Sequence, residues 1–126
     1  MEEKVWLLWN SIQARNWDTV RSLLHDKFIL ELPQSGEQFD IEGYLTMNQE
    51  YPGDWSIQVL RVSLIDASVV SEIRVLLDDH TDWAVSFINF QEEKIFNIRE
   101  YWAEAFPVPN WRMGMSLPNG HSNIGT

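Results

Sequence analysis

The amino-acid sequence predicts an α+β domain in which about three N-terminal helices cover one face of a strongly curved, mainly antiparallel sheet. Apolar residues recur at helical spacing up to about residue 50, whereas from Trp55 onward they alternate with polar residues as in strands. The alternating segments are joined by the short connections DAS, DDH and EE, which suit hairpins. Helices followed by a strand meander are typical of the α+β class.

The first two helices are predicted from an apolar stripe and from a capping residue. Residues 2–14 place four large apolar side chains at helical spacing: Val5, Leu8, Trp9 and Ile12. Asn16 then begins a second helix, because its side chain can accept hydrogen bonds from free backbone amides. Asp18 lies near the positive end of that helix, where a negative charge is favourable.

The segment after the second helix alternates apolar and polar residues and ends at a proline. Residues 27–33 are predicted as a short strand that Pro33 terminates. The following residues, QSGEQF, form either a turn or a short edge strand. A third helix is predicted over residues 40–50, and it ends where the sequence YPGD breaks helical structure.

Four strands form the predicted meander: residues 55–66, 69–78, 82–91 and 94–103. On the last strand, alternation places four side chains on the face expected to meet the helices: Phe96, Ile98, Glu100 and Trp102. A carboxylate among aromatic side chains has a raised pKa, because burial disfavours its charged form, and this suits proton transfer. Glu100 is therefore a predicted catalytic residue, with a structural ion pair to Arg74 or Arg99 as the alternative.

Composition and charge limit the classes of function. The chain has 126 residues and fits one domain, which we place at residues 1–112, with residues 113–126 as a loosely ordered tail. Its formal charge is −10 and it has no basic cluster, which argues against a nucleic-acid partner. It has no cysteine, no signal-peptide pattern and no apolar run near the roughly 20 residues that cross a bilayer. A cytoplasmic protein without a membrane partner is expected.

Three segments resemble the nuclear transport factor 2-like superfamily, and in particular its SnoaL-like members: ARNWDTVRSLLHDKFILELPQSGE, NQEYPGDW and FNIREYWAEAFPVPNWR. The resemblance extends from about Val5 to Arg112. It implies a cone-shaped, cystatin-like fold, a homodimer formed through the outer sheet face, and a pocket for a small, largely apolar molecule. This fold occurs in isomerases, cyclases, hydrolases and binding proteins. The implied function is therefore general acid-base catalysis or, alternatively, non-catalytic binding of a ligand or a protein.

The ketosteroid isomerase relatives imply two functional positions that can be compared directly. They have a general-base Asp just before the strand-ending proline and a Tyr on the first helix. The corresponding residues here are Leu32 and Leu8, and neither can carry a proton. Steroid isomerase chemistry is therefore not expected, unless the neighbouring Glu31 turns inward.

The epoxide hydrolase relatives imply a second arrangement, in which two acids and an Arg activate water and protonate the leaving oxygen. Glu72 and Arg74 are two residues apart on one strand and so share a face, and Glu100 lies on the last strand. These three residues are the catalytic candidates, although Glu precedes Arg here, whereas Arg precedes the acid in the relatives. The alternative for Glu72 and Arg74 is an outward ion pair that contributes little stability.

Seven residues are predicted to line the pocket: Trp9, Tyr44, Asn48, Tyr51, Trp55, Ile98 and Trp102. Their aromatic members bring large apolar areas that suit a cavity wall. Asn48 and Tyr51 have an alternative role, in which they cap the third helix and shape the following turn. Pro107 and Pro109 fix the chain after the last strand, so that Trp111 can be held across the pocket or against a partner subunit.

No metal ion or cofactor is expected. His25, His80 and His121 lie in separate loops or in the tail, so no two of them are placed to share a metal ion. The sequence also lacks the motifs of nucleotide binding and of nucleophilic acyl transfer.

Overall fold

The fold is that of a computed structural model, which describes residues 1–118. Residues 119–126, which contain His121 and most of the predicted tail, lie outside the described residues. Residues 1–118 form the following elements in chain order: α1 (Glu2–Gln13), α2 (Trp17–Leu23), β1 (Leu24–Leu32), β2 (Glu37–Phe39), α3 (Ile41–Gln49), β3 (Ser56–Ile65), β4 (Ser68–Leu76), β5 (Thr81–Gln91), β6 (Lys94–Glu104) and a short 3-10 helix (Asn110–Arg112).

The strands form one sheet in the order β2-β1-β6-β5-β4-β3. Strands β3 to β6 pair with their neighbours in sequence as antiparallel hairpins, which confirms the predicted meander. β1 joins the remaining edge of β6 in parallel, and β2 pairs antiparallel with β1. The sheet is therefore mainly antiparallel, and the predicted α+β class is confirmed.

The second and third helices begin at side-chain caps. Asn16 accepts a hydrogen bond from the backbone amide of Thr19 at 3.3 Å, and Asp40 accepts one from the amide of Gly43 at 2.9 Å. The apolar stripe of α1 is buried in a core that also contains inner-face residues of the sheet. None of the helices within residues 1–118 combines the length and apolar character needed to cross a membrane.

Strand β1 begins earlier than predicted, and β6 begins at the predicted residue but differs in which of its first side chains are buried. β1 begins at Leu24, earlier than predicted, because α2 passes directly into the strand and Leu24 pairs with Ile95 of β6. A bulge near the start of β6 shifts the alternation of its side chains. Ile95 is consequently fully buried, whereas Phe96, which was predicted to face the helices, is partly exposed and contacts His25 with ring centroids 5.2 Å apart.

The chain after β6 lies on the surface of the domain. The side chain of Trp111 is 72% exposed, so the alternative in which it lies across the pocket is wrong, while its contact with a partner subunit stays a prediction. Its ring instead contacts the guanidinium group of the neighbouring Arg112, at a distance of 5.5 Å.

Candidate functional site

A row of polar side chains crosses the inner face of the sheet, where most neighbouring side chains are apolar. Ser71 of β4 is directly opposite Ser86 of β5, which is in turn opposite Glu100 of β6. Trp9 of α1 donates from Nε1 to Ser71 Oγ at 3.0 Å. Ser86 Oγ donates to Glu100 Oε1 at 2.7 Å. The strand register therefore places a carboxyl group beneath the helices.

Glu100 is buried in this row, with only 2% of its surface exposed. Its Oε2 atom accepts a hydrogen bond from Trp102 Nε1 at 2.8 Å, so both carboxyl oxygens have partners. Burial raises the pKa of Glu100, because the charged form loses its hydration, while the hydrogen bonds from Ser86 and Trp102 oppose this rise. Glu100 is thus a buried acid whose pKa lies above its ordinary value.

Glu100 faces an interior cavity of about 20 Å³. Such a volume is enough for roughly one water molecule. The cavity wall is mainly aromatic and aliphatic, and its polar side chains come from Tyr44, Asn48, Tyr51 and Glu100. An apolar wall with few polar groups is typical of a site for a small organic molecule.

Tyr44 of α3 brings a second titratable group to this cavity. Its ring packs against Phe28 of β1 with centroids 5.1 Å apart. Its hydroxyl group is buried and makes no hydrogen bond to any residue of the described part of the chain. Burial, followed by the charge of Glu100, raises the pKa of Tyr44 well above its ordinary value. The hydroxyl group therefore keeps its proton and can donate it in a hydrogen bond.

The loop between α3 and β3 holds two aromatic side chains at the cavity. Tyr51 stacks on Trp102 of β6 with ring centroids 5.5 Å apart. Trp55 donates from Nε1 to the backbone oxygen of Tyr51 at 3.2 Å. The guanidinium group of Arg15 lies 3.5 Å from the centre of the Trp55 ring and donates to its backbone oxygen at 2.7 Å. These contacts anchor the loop to the end of α1.

A larger, open cleft of about 710 Å³ adjoins the cavity, and Glu100 and Trp102 line both spaces. Its other walls come from the end of β1, the turn before β2 and the segment after β6, and they include Leu32 and Phe106. Gln34 Oε1 accepts a hydrogen bond from the backbone amide of Trp102 at 2.8 Å, which joins this turn to β6. Trp102 therefore lies where the small cavity and the larger cleft meet.

This chain is similar to known proteins in its three-dimensional structure. The sequence matches no family model and no curated protein. The chain is similar to a Kribbella flavida protein provisionally named a ketosteroid isomerase, with a TM-score of 0.81, 26% identity, and coverage of 93% of this chain and 87% of that one. It is also similar to an NTF-2 like protein of unknown function from Burkholderia xenovorans, with a TM-score of 0.75, 21% identity, and coverage of 92% of each chain. The chain has the nuclear transport factor 2-like fold.

A third solved structure with this nuclear transport factor 2-like fold is an LEH-like epoxide hydrolase from M. tuberculosis. Its TM-score is 0.65 at 18% identity, and the match covers 80% of each chain. At this identity the similarity concerns the fold alone.

Six of the seven residues predicted to line the pocket surround the interior cavity of this nuclear transport factor 2-like domain: Trp9, Tyr44, Asn48, Tyr51, Trp55 and Trp102. Ile98 does not line it and is fully buried in the core. Sequence reasoning missed Ile57, Ile73 and Val75, which complete the wall. The alternation of β4 is a signal for two of them, because Ile73 and Val75 share a strand face with Ser71.

Glu72 and Arg74 lie on the outer face of β4 and are not brought to Glu100. The residues between and beside them are buried on the inner face, so alternation turns both charged side chains outward. Arg74 donates from Nε to Gln58 Oε1 at 3.1 Å, and Glu72 is opposite Arg61 in the strand register. The acid-Arg-acid arrangement expected from the epoxide hydrolase relatives is therefore not assembled by this fold.

The residues at the positions of the ketosteroid isomerase base and tyrosine are also not arranged for proton transfer. Leu8 is fully buried in the core, and Leu32 lines the open cleft. Glu31 does not turn inward, because its neighbour Leu30 occupies the inner face and Glu31 pairs in register with the exposed Arg99. Within residues 1–118 no three acidic or histidine side chains come together as ligands of a metal ion.

Proposed function

We propose that this protein is a small-molecule enzyme that uses Glu100 to move a proton within the interior cavity. The observation that carries the proposal is the convergence of two titratable groups, the buried carboxyl of Glu100 and the buried hydroxyl of Tyr44, in one apolar cavity. Convergence of a base and a hydrogen-bond donor is the arrangement that general acid-base catalysis requires. The reaction class is that of an isomerase, a cyclase or a hydrolase.

The two groups have complementary roles in the proposed chemistry. Glu100 in its carboxylate form accepts a proton from a carbon atom or from a water molecule, and its raised pKa makes it a stronger base than an exposed carboxylate. Tyr44 donates a hydrogen bond to the ligand oxygen on which negative charge develops. The substrate class that fits is a small, largely apolar molecule with one carbonyl, epoxide or hydroxyl oxygen.

Trp102 controls access in this proposal. The cavity of about 20 Å³ is too small for an organic ligand, whereas the adjoining cleft of about 710 Å³ is large enough. The substrate binds in the open cleft, beside Glu100, and reaches the cavity and Tyr44 when the Trp102 side chain turns aside. This movement breaks the hydrogen bond from Trp102 Nε1 to Glu100 Oε2 and so frees one carboxyl oxygen for the reaction.

A second candidate function is ligand binding without catalysis. It is favoured by the observation that both oxygens of Glu100 already accept hydrogen bonds, from Ser86 and from Trp102. A carboxyl group that is fully satisfied by the protein can have a purely structural role. In this alternative the same apolar cavity and cleft hold a metabolite without changing it.

An exchange experiment distinguishes the two candidates. A thermal-shift screen of small apolar ketones, epoxides and alcohols identifies compounds that stabilise the folded protein. Each ketone that binds is then incubated with the protein in D₂O, and deuterium incorporation next to the carbonyl is followed by NMR. Catalysis predicts exchange that Glu100→Gln abolishes and Tyr44→Phe reduces by about a hundredfold to a thousandfold.

Glu72→Gln is the matched control for this experiment, because it removes a carboxylate of the same size from the outer face. It should leave binding and exchange unchanged. Ligands that bind without exchange or turnover in any compound class would support the binding function instead. Exchange that survives in Glu100→Gln would show that another group is the base.

We also propose that two copies of the chain associate through the outer face of the sheet. The proposal is supported by an aromatic cluster on that face, where Phe87 and Tyr101 contact each other edge to face at 6.2 Å. Tyr101 is 39% exposed, and with Phe87 it offers aromatic surface to a second copy. Light scattering should give the mass of a dimer for the wild type and of a monomer for Phe87→Glu. A monomeric wild type would contradict the proposal.

A further inference from the structure

Ser86 is a polar residue on the inner face of the sheet. It lies on β5, which has β4 on one side and β6 on the other, and its side chain is fully buried. Its neighbours on the same face of this strand, Ala84 and Ile88, are buried apolar residues. A hydroxyl group in such a position is unfavourable unless it forms a hydrogen bond.

The hydroxyl group of Ser86 forms that hydrogen bond with Glu100. Its Oγ atom donates to Glu100 Oε1 at 2.7 Å, and the two residues are directly opposite each other in the register of β5 and β6. A serine side chain has one torsion angle, which takes a staggered position, so the backbone of the strand determines where its Oγ atom lies. Glu100 Oε1 is therefore held by a donor with a fixed place in the sheet.

The donor to the other carboxyl oxygen is placed differently. Trp102 Nε1 donates to Glu100 Oε2 at 2.8 Å, but the Trp102 side chain is only partly buried and lines both the small cavity and the open cleft. Ser86 lines neither space. Oε1 thus has a partner enclosed in the sheet, whereas Oε2 has a partner beside the cleft.

We propose that Ser86 is a positioning residue, which holds Oε1 of Glu100 so that Oε2 is the atom that accepts a proton from the substrate. The inference rests on the proposed function of Glu100 as the base. The substrate C–H bond breaks, its electron pair stays on the substrate, and the new O–H bond forms at Oε2. A carboxylate that is held at one oxygen keeps one orientation toward the cavity, and correct orientation accelerates proton transfer.

The first test follows the ionisation of Glu100 in the ligand-free protein. Glutamate side chains are labelled with ¹³C at the carboxyl carbon, and the Glu100 signal is the one that is absent from Glu100→Gln. Burial raises the pKa of Glu100 and the hydrogen bond from Ser86 opposes this rise, so Ser86→Ala should shift the midpoint of the signal to higher pH. The same midpoint in Ser86→Ala and wild type would overturn the proposal.

Ser71→Ala is the matched comparison for this titration. Ser71 is fully buried on β4, directly opposite Ser86, and its Oγ atom accepts a hydrogen bond from Trp9 Nε1. The variant removes the same group from the same face, so it should shift the Glu100 midpoint less than Ser86→Ala does. Equal shifts would mean that loss of any buried hydroxyl group affects Glu100, and they would overturn the proposal.

Three other titratable side chains in the described part of the chain line the same spaces as Glu100: Tyr44 of α3, Tyr51 of the following loop and Glu104 of β6. Burial raises the pKa of both tyrosines, so they keep their protons while carboxyl groups titrate. Glu104→Gln identifies the signal of Glu104, which can then be followed separately from that of Glu100.

The second test measures proton transfer with 2-tetralone, a small apolar ketone with exchangeable hydrogens beside its carbonyl group. Exchange of these hydrogens in D₂O is followed by NMR across the pH range of the titration. Ser86→Ala should lower the plateau rate, at which Glu100 is fully ionised, by about tenfold to a hundredfold, because a hydrogen bond to a charged group is lost. A higher pKa alone would not lower the plateau, since a stronger base accepts protons at least as fast.

Glu100→Gln distinguishes this inference from the proposed function on which it rests. Loss of exchange in Glu100→Gln, together with a wild-type plateau in Ser86→Ala, would overturn the role of Ser86 alone. Exchange that survives in Glu100→Gln would overturn both. A wild type that does not exchange 2-tetralone would count against the proposed function, and the titration would then decide alone whether Ser86 holds Glu100.

Discussion

The inner and outer faces of the sheet differ in how they hold charged side chains. On the inner face Glu100 is 2% exposed, and its two oxygens accept hydrogen bonds from neutral donors. On the outer face Arg74 donates to the exposed Gln58, and Glu72 is partly open to solvent. Both faces therefore carry carboxylates, Glu72 on β4 and Glu100 on β6, but only the inner face removes water from its carboxylate.

The comparison indicates that burial, rather than spacing along a strand, decides which carboxyl group is suited to proton transfer. Glu72 and Arg74 have the spacing that acid-base sites use, yet alternation turns them away from the helices. Glu100 has no charged partner, and its pKa is raised by loss of hydration.

The largest expected difference is in packing. Ile98 is fully buried on the inner face, so Ile98→Ala should lower the free energy of unfolding by about 2–5 kcal/mol through the cavity that it leaves. Its neighbour Arg99 is exposed, and Arg99→Ala should change the same quantity by less than about 1 kcal/mol. Urea unfolding at neutral pH measures both. Similar losses would mean that the two faces are equally buried, as a closely packed dimer interface would require.

The next effect concerns the donor to Glu100. Trp102→Phe keeps an aromatic ring but removes the indole N–H, so Glu100 Oε2 loses its hydrogen bond. The expected cost is about 1–3 kcal/mol of unfolding free energy when Glu100 is ionised. Trp83→Phe, on the outer face of β5, is the matched control and should cost less. An equal cost would mean that the Trp102 hydrogen bond contributes nothing beyond ring packing.

A pH-dependent effect is expected for Glu100→Gln. The folded-state pKa of Glu100 is raised above its ordinary value of 4.5, so its favourable contribution is complete below that value and is lost as the pH rises through the folded-state pKa. Each pH unit between the two pKa values changes stability by about 1.4 kcal/mol. Gln cannot ionise, so the variant should gain stability relative to wild type between acid and neutral pH. Urea unfolding across that range measures the difference, and a constant difference would contradict the raised pKa.

Much of the fold could be predicted because the sequence signals are local. The change from helical to alternating periodicity near Trp55 separates the helices from the meander, and Asn16 marks a helix start by its own side chain. Local alternation also places Glu100 and Trp102 on the inner face. The bulge in β6 was missed, since nothing in the pattern distinguishes Ile95 from Phe96 as the buried residue.

The site was less accessible to sequence reasoning because it depends on contacts between distant segments. The row from Ser71 to Glu100 requires the register of three strands. The missing partner of the Tyr44 hydroxyl depends on side-chain packing, and so does the small volume of the cavity. The hydrogen bond from Ser86 to Glu100 joins residues 14 positions apart in the chain, and no local motif marks it.

The smallest effect is expected for Arg74→Ala on the outer face. Arg74 donates only to the exposed Gln58, so its loss should change the free energy of unfolding by less than about 1 kcal/mol. A buried ion pair broken in the same way would cost about 3–5 kcal/mol, because an uncompensated charge would remain in the core. Urea unfolding of Arg74→Ala and of Glu72→Gln distinguishes exposed outer-face side chains from a buried ion pair. A large loss in either variant would mean that the outer face buries these charges against a partner copy, and the contrast between the two faces would then hold only for the isolated chain.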